Sequence, residues 1–151
     1  MKIKKYMKKD FLTLPPHANL KTIAESFFKT GESIIPVTGE NGEFLGVIAI
    51  DDFLLIFLPE YIDLVQDVDF IHDFGALEKT PYSVEELLFV AEDLMRHNYP
   101  VVDEDDSVMK AIAMMIKHNI ARIPVVSEGQ LVGMLSKNDA CRAFFDTEGN
   151  Q

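Results

Sequence analysis

The sequence predicts a mixed α/β (α+β) fold made of two copies of one small unit, packed together with pseudo-twofold symmetry. Three observations predict it. An amphipathic helix pattern occurs twice, at 20–28 and at 108–116. Each copy is followed by an Ile-Pro-Val run, a hairpin turn and an apolar run containing Gly. The copies stay in step, at an offset of 88 residues before the turn and 87 after it.

Each element has a local reason. Leu20, Ile23, Ala24, Phe27 and Phe28 form an i, i+3, i+4, i+7, i+8 stripe, as do Val108, Ala111, Ile112, Met115 and Ile116. Asn19 and Ser107 stand before these stripes as N-caps. Gly31 and Asn119 follow at equal distance and tolerate a left-handed C-terminal turn. Ile34-Ile35-Pro36-Val37 then corresponds to Arg122-Ile123-Pro124-Val125 as a strand. The turns are Glu40-Asn41-Gly42-Glu43 and the shorter Glu128-Gly129-Gln130. Phe44–Ile48 and Leu131–Leu135 give the return strands. Asp51–Leu55 and Asn138–Arg142 give short closing helices. Between the copies, Pro59–Val65 and the Ser83-x-x-Glu86 capping box predict further helices. The expected organisation is repeat 1 at 6–57, an acidic helical inter-repeat segment at 58–92, repeat 2 at 93–146, and tails at 1–5 and 147–151.

Composition narrows the function classes. Among 151 residues, 25 acids face 14 Lys and Arg, a net charge of −11. This argues against nucleic acid or an anionic membrane as partner. The acidity is local, because 14 acids and 2 bases lie between Pro59 and Asp106. The single cysteine, Cys141, sits among apolar helix residues, where burial is expected, and it allows no intrachain disulfide. The lysine-rich start lacks the apolar stretch of a signal peptide. The longest apolar run, Phe53–Leu58, is far short of the ~20 residues of a spanning helix. A cytoplasmic location is expected.

Several motifs extend the second copy: Asp93-Leu94-Met95, Tyr99-Pro100-Val101-Val102 as a short first strand, Asp105-Asp106-Ser107-Val108, and Gly133-Met134-Leu135-Ser136-Lys137-Asn138-Asp139. The first copy shows Met7-Lys8-Lys9-Asp10 and Thr13-Leu14-Pro15-Pro16. In order and duplication these resemble a tandem pair of cystathionine-β-synthase (CBS) domains, a Bateman module. The resemblance implies two β-α-β-β-α repeats packed through their sheets and a homodimer. It also implies a regulatory role without catalysis. The ligand it implies is adenosine-containing: AMP, ADP, ATP, S-adenosylmethionine or a cyclic dinucleotide. No effector domain is recognisable, so an effector protein in trans is expected.

Nucleotide binding is expected of Ser136, Asp139, Arg122, Tyr99, Pro100, Val101 and Ala121. A carboxylate such as Asp139 can accept from both ribose hydroxyls. A hydroxyl such as Ser136, at a strand-to-helix turn, can donate to phosphate. Arg122 suits a bidentate phosphate contact, and Tyr99–Val101 could frame the adenine. Each has a plainer reading as well. Ser136 or Asn138 caps a helix with Asp139 in its first turn, Arg122 pairs with a neighbouring acid, and Tyr99–Val101 form an edge strand. In repeat 1 the hydroxyl position is Ala49 and the arginine position is Ile34, while Asp52 remains. A second site at Asp52 is therefore expected to be weaker.

No metal or catalytic cofactor is expected. Asp93 and His97 at i, i+4 offer two ligands without a third. No nucleophile, base and orienter share a neighbourhood, so an enzyme is not expected. The alternative is a ligand-free assembly module docking a basic partner through the acidic segment. Met109, Met114 and Met115 are expected in the core.

Overall fold

The computed structural model describes residues 1–58 and 88–146. The helices expected near Pro59 and Ser83 lie outside the described residues.

Repeat 1 opens with helix α1, Leu20–Thr30. The Thr22 N–H donates to the Asn19 side chain at 2.9 Å, and Gly31 ends the helix at φ 66°. Leu20, Ile23 and Phe27 carry the buried face. Strand β1, Ile34–Thr38, pairs antiparallel with β2, Phe44–Ala49, from Ile34 opposite Ala49 to Thr38 opposite Phe44. Helix α2, Ile50–Leu55, closes the unit.

Helix α3 is a single turn, Ala91–Leu94. Met95 turns extended, at ψ 148°, so Asp93 and His97 do not share a helix face. The Asp93 carboxylate instead accepts from the Val90 N–H at 3.0 Å. Strand β3 is Val102–Asp103, parallel to β4, Arg122–Ser127. Tyr99–Val101 precede this strand rather than form it, because Pro100 has no N–H to give the ladder. Helix α4, Val108–Lys117, is capped by Ser107, and Asn119 follows it at φ 53°. Strand β5, Gln130–Ser136, returns antiparallel along β4. The turn between them has both Glu128 and Gly129 at positive φ, 51° and 80°. Helix α5, Lys137–Ala143, ends the described fold.

The pseudo-dyad is visible in backbone hydrogen bonds. The Phe44 N–H donates to Gly129 C=O at 2.9 Å, and the Leu131 N–H to Gly42 C=O at 3.0 Å. These are one contact seen twice at the 87-residue offset. Glu43 and Gln130 face each other on the axis. Ile34, Val47, Ala49 and Met134 are buried there between the repeats.

The repeats also exchange their leading segments. Lys8 exchanges two backbone bonds with Met134, and Arg96 exchanges two with Val47. Ile3, Tyr6 and Met7 join the core of repeat 2, while Ala91, Leu94 and Met95 join that of repeat 1. Residues 1–5, expected as a tail, hold a 3-10 turn at Ile3–Lys5 with Ile3 fully buried. The exchange needs glycine where the chains meet. A Cβ on Gly46 would lie 2.6 Å from the Arg96 carbonyl oxygen.

Two expectations about burial differ. Met115 is buried, but Met109 is 61% exposed because it sits opposite the α4 stripe. Cys141 is exposed, since α5 buries Asp139, Ala140 and Ala143 and turns residue 141 outward.

Gly46→Ala should cost about 3 kcal/mol, because backbone must move to admit the methyl. Gly31→Ala, with open space but a left-handed φ, should cost about 1 kcal/mol. Urea unfolding of both variants checks this, and equal costs would contradict the close approach at Gly46.

Candidate functional site

Two half-open clefts lie on either side of the pseudo-dyad. The first, about 410 Å³, is walled by Lys8–Leu12 (Lys9 apart), by Thr30, Glu32 and Ile34–Pro36, and by Arg122 from repeat 2. The second, about 450 Å³, is lined by Arg96–Pro100, His118 and Ile120. Lys8 and Arg96 are equivalent by the offset, as are Phe11 and Tyr99, and Thr30 and His118.

Arg122 begins β4 opposite Ser136, the last residue of β5. Its side chain crosses between repeats and meets Glu32 at 2.8 Å. Its own carbonyl accepts from the Tyr99 hydroxyl at 3.2 Å. Desolvation by burial raises the Tyr99 phenol above its ordinary pKa, against the opposing pull of the Arg96 and Arg122 charges.

Ser136 and Asp139 form a reciprocal capping box on α5. The Asp139 N–H donates to Ser136 Oγ at 3.0 Å, and the Ser136 N–H donates to Asp139 Oδ2 at 3.0 Å. Asp139 is 5% exposed. Its Oδ1 faces Lys8 at 4.0 Å and Arg142 at 3.8 Å. Ser136 Oγ accepts in the cap, which leaves its own O–H proton to donate elsewhere.

Asp52 occupies the position equivalent to Asp139. Arg96 grips it bidentately, Nε to Oδ2 at 2.6 Å and the second guanidinium nitrogen to Oδ1 at 2.9 Å. The hydrogen bond to Asp52 raises the Arg96 pKa further. Alanine at 49 leaves α2 without a side-chain cap.

The expected site residues therefore gather around β4 but open on two sides. Arg122 lines the first cleft, with Ser136 beside it in register. Asp139 approaches the same region through Lys8. Tyr99 and Pro100 line the second cleft, and Val101 lies half-buried just before β3. Ala121 is exposed, and its carbonyl accepts from the Lys137 N–H at 2.9 Å. Sequence reasoning missed Lys8, Asp10 and Glu32. Lys8 was recoverable from the offset that pairs it with Arg96. Glu32 had no signal, because its partner lies in the other repeat. No group of three or more His, Cys, Asp or Glu among the described residues is placed to hold a metal ion. None of their helices is long and apolar enough to cross a membrane.

Residues 3–58 and 90–146 match the family model for the CBS domain. The uncharacterised protein MJ1426 of Methanocaldococcus jannaschii is 27% identical over 95% of this chain and 91% of its own. The solved structure of CBSX2 in complex with AMP has a TM-score of 0.73 at 19% identity, covering 97% of this chain and 98% of that one. The CBS domain pair of MJ0100, in complex with 5′-methylthioadenosine and S-adenosyl-L-methionine, has a TM-score of 0.65 at 20% identity, covering 100% and 98%.

Ser136→Ala and Asp139→Ala should each lower stability by about 1 kcal/mol through loss of the cap. The double variant should cost less than the two together, because each cap bond helps orient the other. Urea midpoints for the three variants check both expectations.

Proposed function

The chain belongs to the CBS-domain family, and on that premise we propose that it is a regulatory module binding an adenosine-containing ligand between its repeats. The ligand class is AMP, ADP, ATP or S-adenosylmethionine, and the response passes to an effector protein in trans. The observation that carries this reading is Arg122, a guanidinium set in the wall of the 410 Å³ cleft beside the free hydroxyl proton of Ser136. In that arrangement the guanidinium and Ser136 take the phosphate or carboxylate end, and Asp139 Oδ1 faces the ribose. The bound molecules of CBSX2 and MJ0100 belong to the same chemical class. The cleft at Asp52 is the weaker one, because Arg96 already holds both carboxylate oxygens. A ligand signals only by binding one arrangement of the repeats better than another.

The module also pairs with a second copy of itself. Phe28 is 77% exposed and its equivalent Ile116 is 68% exposed. Phe145, at 81%, and its equivalent Leu58, at 37%, continue the two faces. Between α4 and α5 an apolar groove of about 380 Å³ is lined by Ile112, Ile116, Ala140 and Phe144. Two equivalent apolar faces on a pseudo-symmetric body suit a closed dimer.

Thermal unfolding with AMP, ADP, ATP and S-adenosylmethionine tests the ligand. A binder at ~100 times its dissociation constant should add about 2.7 kcal/mol. Arg122→Ala should abolish most of the AMP shift while leaving the α5 cap intact, and no shift with any ligand would refute the reading. Ile116→Glu with Phe145→Glu should convert the dimer to a monomer in sedimentation.

A further inference from the structure

The two clefts are related by the pseudo-dyad, but one ion pair breaks the symmetry. Glu32 of repeat 1 meets Arg122 of repeat 2 at 2.8 Å. The positions equivalent to Glu32 and Arg122 by the 88-residue offset hold Ile120, which lines the other cleft, and Ile34. The fold therefore forms a cleft at this place with or without the pair, and the pair is a property of one cleft rather than of the architecture.

Its two members are unequally held. The Arg122 side chain is 14% exposed, and its backbone is fixed in β4 and by the Tyr99 hydroxyl. The Glu32 side chain is 40% exposed. It follows the left-handed turn at Gly31, with its N–H on Thr30 Oγ1 at 3.2 Å. Glu32 is the partner that can swing into water. Both line the cavity that Lys8 and Asp10 also line. A largely buried guanidinium needs an anion beside it, and Glu32 is that anion. A phosphate satisfies the same guanidinium with two parallel bonds, but the two anions cannot share it without repulsion.

We propose that Glu32 is an internal counter-anion of this cleft: it holds Arg122 until a ligand's phosphate displaces it, and it thereby disfavours phosphate-bearing ligands relative to uncharged adenosine ligands. This rests on the adenosine-binding reading of the same cleft. An uncharged ligand enters with the pair intact. A phosphorylated one breaks an ion pair that spans the two repeats.

Calorimetric titration of the full chain with AMP and with adenosine tests the proposal, using wild type, Glu32→Gln, Arg122→Gln and the double variant. Glu32→Gln should tighten AMP about fivefold, as expected for losing a half-exposed competing pair. It should leave adenosine unchanged. In the Arg122→Gln background the same substitution should no longer tighten AMP. Weaker AMP binding by Glu32→Gln, or an equal change for adenosine, would overturn the proposal. If wild type binds neither AMP nor adenosine, AMP is not this cleft's ligand, and pyrophosphate then serves as the probe. Glu32→Gln should gain more thermal stabilisation from pyrophosphate than wild type does, and an equal gain would overturn the counter-anion.

Discussion

The structure depends on how closely two backbones approach at Gly46 and Gly133. There each repeat's last strand accepts the other repeat's leading segment, with the Met7 and Met95 sulfurs and the Lys8 and Arg96 carbonyls in the space a side chain would fill. This one contact, made twice, fixes the pseudo-dyad. It brings Lys8 to Asp139 and Arg96 to Asp52. It also sets the walls of both clefts, since the leading segments line them. The clefts exist because the repeats trade segments instead of standing side by side.

What was legible in the sequence follows from the range of each interaction. The caps at Asn19 and Ser107 involve residues three apart, and the turns at Gly42 and Gly129 are set by local φ. The duplication carried the topology, because one set of short-range signals was written twice. The Ser136–Asp139 box was equally local. Contacts between the repeats were not legible. Arg96 and Asp52 are 44 residues apart, and nothing near Glu32 announces Arg122. Cys141 was placed inside by its apolar neighbours, although the helix turns it outward through about 100° from Ala140. Tyr99–Val101 read as a strand until the missing Pro100 donor is counted.

Differences between the two copies also explain why the clefts differ. Repeat 1 has Ala49 and Ile34 where repeat 2 has the hydroxyl of Ser136 and the guanidinium of Arg122. The two copies likewise differ in having a carboxylate at Glu32 and an isoleucine at Ile120. One cleft became a balanced set of charges. The other became a locked Arg96–Asp52 pair beside two histidines. The net acidity of the chain is not concentrated at the first cleft, where Lys8 and Arg122 stand against Asp10 and Glu32.

The burial of Ile3 in one repeat and Ala91 in the other has a consequence for a chain leaving the ribosome. The first repeat is short of part of its core until residues 90–96 emerge. At about 5–20 residues per second, that is a delay of roughly 2–8 seconds after its own closing helix. Residues 3–7 settle only once the core that receives them, built from residues 102–143, has been made. Neither half can finish alone. Each core is therefore completed only when a segment from outside its own repeat has docked on it.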